Sequence, residues 1–401
     1  MFIRLNPFSL LFFCFTYTTT LHERTHTHTH THSETNAAWM EQHCRVSCGL
    51  CDPNEIDLGL PQTLGGDSSD RAQVHAVLAK AKEYMKMVAA DAFLSKALLL
   101  CKNQHEQCAQ WAARGECAAN AGYMKYSCAP VCGTCDQVTL ETRCPPVDPD
   151  ARKAWGPGSL DGMFVNITTR PEHSIYNPQI LSRPPPTAAS ASTSMDYKIG
   201  PWIVVLDDFL SDEECDRLIE LGAVEGYKRS GGVGDKQLDG TFASKEILGR
   251  TSMNAWCQNS CYDDPIAKAV MYRISNLTGI PEENSEHLQL LKYEVGQYYE
   301  THHDYIAYMV DRPMGVRLLT VFLYLNDVDA GGGTHFPQLN ITCMPKKGRA
   351  LLWPSVDDQH PDEKDHRTEH EALKVEAGIK YGANAWYHQR DYKEPFRTKC
   401  Q

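Results

Sequence analysis

From residue 202 onward, apolar residues gather in short runs broken by tight turns, the texture of short strands. Trp202 to Leu206 reads as one strand. After Leu288 follow LQLLKYEV, QYYETHHDY, RLLTVFLYLND, ALLWPS, LKVEA and AWYHQ, separated by glycine-rich turns. Two helices precede them. Ser211-Asp-Glu-Glu214 is a capping box that opens a helix carrying Cys215, Leu218, Ile219 and Gly222. Asp264-Pro265 opens the other, with proline at the first helical position and Gly279 near its stop. Many short strands with tight turns predict a mainly β domain, a sandwich or jelly roll with flanking helices. Upstream the pattern changes. Asp70 to Leu100 reads as an amphipathic helix, opened by Asp70 and Gln73, with Val74, Val77, Leu78, Ala81, Tyr84, Met85 and Val88 along one stripe. The proline-rich stretch 144–158 and the segment SRPPPTAASASTS (182–194) are too poor in apolar residues to fold and read as linkers.

Composition adds a compartment and removes some partners. The 401 residues allow more than one domain, and 42% apolar residues suffice for a sizeable core. A net charge of −12 argues against nucleic acid or an anionic membrane as the main partner. Sixteen cysteines, nine of them between Cys44 and Cys135, suit a disulfide framework in an oxidising compartment. The sequons at Asn166, Asn276 and Asn340 are compatible with the same route. Phe8 to Tyr17 behind Arg4 has the length of a signal-peptide core, and no apolar run is long enough to make a firm membrane span. The expectation is the secretory pathway, in the endoplasmic reticulum lumen or associated with its membrane. Thr25 to His32 is an alternating Thr-His tract, read as a repeat rather than as a metal site.

Residues 101–135 place cysteines at 101, 108, 117, 128, 132 and 135. Six cysteines allow fifteen connectivities, so sequence gives no pairing, and Cys132-x-x-Cys135 also has zinc-ligand spacing. With WAARGEC and NAGYMKYSC between them, the pattern resembles the ShK toxin-like (ShKT) module. The resemblance implies the pairs Cys101–Cys135, Cys108–Cys128 and Cys117–Cys132. NAAWMEQHCRVSCGLC (36–51) aligns with residues 120–135 at a constant offset of 84, so the module's second half is repeated. Cys44, Cys48 and Cys51 lack their matching first cysteines, which suggests that residues 1–35 are not the natural start. On compartment grounds Cys257 and Cys261 are expected to pair.

The chemistry sits in YYETHHDY (298–305). On a strand, residues two apart share a face, so His302 and Asp304 point together and His303 points away. On that argument replacing His303 should leave activity largely intact. An iron oxygenase of the facial-triad type needs two histidines and a carboxylate on one side of the metal, with the other positions open. A chelating 2-oxo acid also needs a fixed cation for its far carboxylate. Downstream histidines are His335, His360, His366, His370 and His388. His360 and His366 lie in the acidic loop DDQHPDEKDH, whereas Lys380, in GIKYGANAWYH, follows His370 by ten residues. With LQLLKYEVGQYYETHHDY, RLLTVFLYLNDVDAGGGTHFP and KKGRALLWPS in the same order, Pro201 to Pro395 resembles the prolyl 4-hydroxylases, iron(II)- and 2-oxoglutarate-dependent dioxygenases.

That resemblance implies a double-stranded β-helix (jelly roll) catalytic domain, with iron held by His302, Asp304 and His370. It implies that Lys380 binds the far carboxylate of 2-oxoglutarate, beside Tyr293 and Thr334. Arg250, Ser252, Tyr299, Arg317, Trp386 and His388 would line the peptide groove, and Tyr227 to Thr241 would be a mobile lid over it. The implied reaction consumes dioxygen and 2-oxoglutarate, with ascorbate as a further cofactor, and gives peptidyl 4-hydroxyproline of the procollagen type, succinate and carbon dioxide. The partner is then a proline-containing polypeptide. Competing readings are lysyl or 3-prolyl hydroxylation on the same fold and a secreted non-enzymatic binding protein. The chain divides as 1–35, signal-like low complexity; 36–52, a partial ShKT repeat; 70–100, a helical linker; 101–136, a small disulfide-rich helical module; 137–195, a linker region; and 196–400, the dioxygenase domain.

Overall fold

The structure, a computed structural model, describes residues 56–144, 146–185 and 197–401. The signal-like core, the Thr-His tract, the half repeat and most of the second linker lie outside the described residues. The chain divides into two compact units, Met1–Val138 and Thr139–Gln401.

In the first unit a long helix, Ser68–Ala90, starts two residues earlier than the sequence pattern suggests and ends ten earlier. Asp67 rather than Asp70 caps it, accepting the amide hydrogens of Ser69 and Asp70 at 2.8 and 3.0 Å. Its stripe Val74, Ala81, Met85 and Val88 is buried. Met85 and Val88 pack against Ala97, Cys101, Ala129, Cys135 and Val138. So few apolar side chains make a thin core. Disulfides Cys101–Cys135, Cys108–Cys128 and Cys117–Cys132 close loops of 34, 20 and 15 residues. Each removes roughly 3 kcal/mol of chain entropy from the unfolded state.

In the second unit a nine-stranded sheet runs in the spatial order Lys198–Ile199, Pro178–Arg183, Ile203–Leu206, Ala350–Pro354, Arg317–Tyr324, Lys380–His388, Gln289–Tyr293, Met253–Trp256, Lys228–Arg229. A four-stranded sheet follows the order Ile341–Cys343, Thr334–Phe336, His370–Ala372, Tyr299–His302. The central strands of the large sheet are covered on both faces, which is why they read as nearly unbroken apolar runs. On one face Val204, Leu206, Leu319, Val321, Leu352 and Ala385 pack against the helices Ser159–Thr169, Asp212–Glu225 and Pro265–Thr278. On the other, Ile203, Val205, Phe322, Tyr324, Leu351 and Trp353 meet Phe336, Ile341 and Cys343 of the small sheet. Alternation along the strands therefore sends Tyr293, Thr320, Lys380 and Trp386 to the small-sheet side.

The expected mainly β, double-stranded β-helix class is corrected by these sheets. Among the described residues the fold is mixed α/β, no sheet closes into a barrel, and helices hold more residues than strands do. Closure requires tilted strands long enough to pair around the whole circumference. The small sheet's strands are only three or four residues long, and the large sheet keeps the free edges Lys198–Ile199 and Lys228–Arg229.

Local signals near the site are realised. Ser211 and Glu214 form the reciprocal capping box. Asp264 caps the helix begun by Pro265, and Gly279 ends it with φ of +71°. A separate hairpin, Gly231–Lys236 with Phe242–Glu246, overhangs the site. Its tip is tied at two points: Leu140 N–H donates to Asp239 O (2.7 Å) and Arg312 Nη2 to Gly240 O (2.9 Å). Leu140 belongs to the short helix Leu140–Arg143, capped by Cys144, whose disulfide to Cys400 spans 256 residues. Cys257 and Cys261 are also paired. Among the described residues no helix is long and apolar enough to cross a membrane.

Candidate active site

His302 ends one strand of the small sheet, and His370 begins its antiparallel neighbour as its cross-strand partner. Their rings are 4.3 Å apart. Asp304, in the bend just after His302, is buried at 5% exposure and reaches the same space. His302 Nε2 lies 3.9 Å from Asp304 Oδ1, and His370 Nε2 lies 3.7 Å from Oδ2. All three ligand atoms fall within 4.8 Å of one another. The spacing argument thus reaches the right pair by a partly wrong route, because the strand ends at His302. His303 turns aside to Asp365 O, 2.9 Å from its Nε2.

Backbone carbonyls orient both imidazoles. Nδ1 of His302 is 2.8 Å from Glu300 O, and Nδ1 of His370 is 3.0 Å from Thr368 O. Each Nδ1–H therefore donates outward and leaves the Nε2 lone pair facing Asp304. The Thr320 hydroxyl donates to Asp304 Oδ2 at 2.6 Å. Burial works to raise the Asp304 pKa, but His370, His302, Arg317 and the Thr320 bond outweigh it and hold the carboxyl below its usual range. Burial lowers His302 well below the ordinary imidazole value. An ionised carboxylate and bare imidazole nitrogens on one side of a small space are the donor set a divalent iron takes.

A narrow pocket of about 30 Å³ continues from these three residues between the sheets, lined by Tyr293, Phe322, Thr334, Trp353, Lys380 and Asn384. At its far wall Lys380, 1% exposed, is the cross-strand partner of Tyr293. Its Nζ lies 5.0 Å from the rings of Tyr293 and Phe322 and has no hydrogen-bond partner among the described residues. Burial lowers its pKa to about 7. An ammonium held dry without a counter-ion fits a missing anion. Gly332 is needed beside it: φ is +70°, and a Cβ there would come within 3.3 Å of Lys380 Cδ. Thr334 holds the hydroxyl of Tyr324 at 2.7 Å.

On the opposite side His302 and Asp304 open onto a groove of about 660 Å³, which the hairpin overhangs and whose walls include Arg250, Trp256, Tyr299, Tyr308, Arg317 and Trp386. Arg250 sits over the Tyr299 ring at 4.7 Å, and Arg317 over Trp386 at 3.8 Å. Phe242 of the hairpin stacks on Tyr308 at 4.1 Å. Two of the expected groove residues lie beneath it instead. Ser252 is fully buried against the Ser230 hydroxyl (3.1 Å), and His388 is fully buried against Glu286 (3.0 Å) and Gly315 O (2.8 Å).

Three contributors escaped the sequence reading. Glu286 joins Arg317 Nε at 2.5 Å and His388; burial would raise its pKa, but Arg317 and His388 bring it down to about 2. Gln289 receives Arg250 Nη2 at 2.8 Å. Thr320 had a signal, being a hydroxyl in the middle of the apolar run RLLTVFLY; Glu286, outside any strand pattern, had none.

The signature of the 2OG-Fe(II) oxygenase superfamily matches residues 288–388, and that of ShK domain-like modules matches residues 33–51 and 100–135. Prolyl 4-hydroxylase 5 of Arabidopsis thaliana is 35% identical over 211 residues, covering 48% of this chain and 70% of that protein. The chain belongs to the prolyl 4-hydroxylase family. Prolyl 4-hydroxylase subunit alpha-2 of Gallus gallus is 35% identical over 193 residues, 47% of this chain. This chain spans 34 to 38% of the length of four animal prolyl 4-hydroxylase alpha subunits that it resembles. The crystal structure of viral collagen prolyl hydroxylase vCPH from Paramecium Bursaria Chlorella virus-1 with 2OG matches at 28% identity, 47% of this chain, 96% of that chain and a TM-score of 0.37. The superfamily match contains every residue of the pocket wall from Tyr293 to Trp386, whereas Arg250 and Glu286 lie outside it.

Proposed function

We propose that the chain is a peptidyl-proline 4-hydroxylase that uses iron(II), 2-oxoglutarate and dioxygen. The observation that carries this reading is the place of the His302–Asp304–His370 cluster: His302 and Asp304 line both an inner pocket, which holds the Lys380 ammonium without a partner among the described residues, and an outer aromatic groove. Iron(II) with 2-oxoglutarate and dioxygen supplies the oxidising power to insert one oxygen atom into a ring C–H bond, while 2-oxoglutarate becomes succinate and carbon dioxide.

The protein's part is orientation and exclusion of water. His302, Asp304 and His370 hold the metal on one side. Lys380 receives the far carboxylate of 2-oxoglutarate, where charge pairing in a dry wall fixes the co-substrate's direction. Thr334 and Tyr293 flank it. A proline side chain presented from the groove reaches the metal past Tyr299 and Trp386, and the hairpin covers it from above. The apolar walls keep bulk water from the reacting atoms.

The substrate is a proline-containing polypeptide of the kind the family's names suggest. The three-disulfide module and the exposed sequon residues Asn166, Asn276 and Asn340 support a route through an oxidising lumen. Mass spectrometry of proline-rich peptides incubated with the protein, iron(II), 2-oxoglutarate and ascorbate tests the proposal. The expected product carries one added oxygen on proline, forms with matching succinate, and is absent with His302→Ala. Succinate without hydroxyproline, or product on lysine, would reject the assignment, and leaving out ascorbate tests that requirement separately.

A further inference from the structure

The candidate ligands come from two stretches of chain, 299–304 and 365–370, and strand pairing joins them only at its end. His303 supplies a second joint. Tyr305 N–H donates to its Nδ1 at 2.9 Å. That bond makes Nδ1 an acceptor, so the ring proton must sit on Nε2. Nε2 then faces Asp365 O at 2.9 Å and the Thr368 hydroxyl at 3.1 Å. Thr368 is fully buried, and its hydroxyl donates to Asp365 O at 3.0 Å. Its own carbonyl accepts Nδ1–H of His370 at 3.0 Å. The chain of contacts runs without a gap from the ring of His303 to the nitrogen that sets the aim of His370.

We propose that His303 is a positioning residue for metal binding: it clamps the Asp365–Thr368 turn and thereby fixes the direction of His370. The inference rests on the reading above, that the three-residue cluster holds a divalent metal. It reverses the expectation that a residue facing away from the metal is dispensable. Carbonyls that orient ligating histidines commonly govern metal affinity by 10- to 100-fold. His303 acts one bond further out, so the lower end applies.

Cobalt(II) titration of the full chain, followed by its visible absorption, tests this without turnover. His303→Ala should weaken cobalt(II) about tenfold and alter the band shape. Glutamine carries an amide N–H near the position of Nε2, so His303→Gln should bind close to wild type. Asparagine reaches only the position of Nδ1, so His303→Asn should resemble alanine. A merely structural role would lower the thermal midpoint of these variants but leave affinity and spectrum unchanged. Wild-type affinity in His303→Asn, or affinity as weak in His303→Gln as in His303→Ala, would overturn the proposal. Should His303→Ala fail to fold, the glutamine and asparagine variants decide alone. Wild-type protein that binds cobalt(II) no better than His302→Ala would instead remove the metal reading itself, and this inference with it.

Discussion

Lys380 projects into a wall of Tyr293, Phe322 and Tyr324 rings, with burial holding its pKa near 7. Only the ammonium form can pair with the far carboxylate of 2-oxoglutarate. Raising the pH through about 7 should therefore increase the apparent 2-oxoglutarate KM, as a pH series of initial rates would show. The unfolded chain binds this proton up to the ordinary lysine value of 10.5, so between the two values apoprotein stability rises with pH. Lys380→Met should accordingly stabilise the apoprotein at neutral pH while abolishing 2-oxoglutarate binding, read by thermal melts with and without the co-substrate. Glu286 has the opposite sign. Its pKa falls to about 2 from 4.5, so its contribution is present above 4.5 and lost as pH falls toward 2. Glu286→Gln strands Arg317 and His388 and should cost about 3–5 kcal/mol in denaturant unfolding.

Among the elements, what was legible in sequence was local. The capping box at Ser211, the Asp264-Pro265 start and the Gly279 stop each depend on a few consecutive residues, and each stands where expected. The pocket residues were legible because motif order constrains distant strands together. What escaped required knowing which faces meet. Leu319 and Val321 read equally well as the lining of a closed barrel or the underside of a helix-covered open sheet, and the latter holds. The long helix stops at Ala90 although its apolar spacing continues, because Asp91 turns its carboxylate onto the amides of Phe93 and Leu94. The hairpin over the groove overlaps the segment Tyr227 to Thr241, expected as a mobile lid, and its ladder and tied tip were invisible in sequence. Its stack of Phe242 on Tyr308 is worth about 0.5–1.5 kcal/mol. Phe242→Ala should raise the peptide KM roughly two- to tenfold and leave the 2-oxoglutarate KM unchanged, separable in one kinetic matrix.

For the molecule as a whole, Cys144–Cys400 has a reach unlike that of the module's bridges, closing 256 residues rather than 34 or fewer. In a chain-entropy account it contributes up to about 5 kcal/mol. Replacing both cysteines by serine should lower the thermal midpoint and loosen the hairpin tip, because Leu140, which holds Asp239 O, lies in the helix that ends at Cys144. Hydrogen exchange at residues 237–241 would report the loosening, and unchanged exchange would separate the clasp from the hairpin. The same bridge also imposes an order in time. At about 5–20 residues per second of synthesis, the pairs within 101–135 have both sulfurs available in seconds. Cys144 waits roughly 13–50 seconds for Cys400. Meanwhile Cys215, Cys257, Cys261 and Cys343 emerge, each a competing thiol until Cys257 and Cys261 pair and the others are buried. Among the described bridges, the one whose partners are born furthest apart is thus the last that can form, and a chain halted before Cys400 lacks the partner of Cys144.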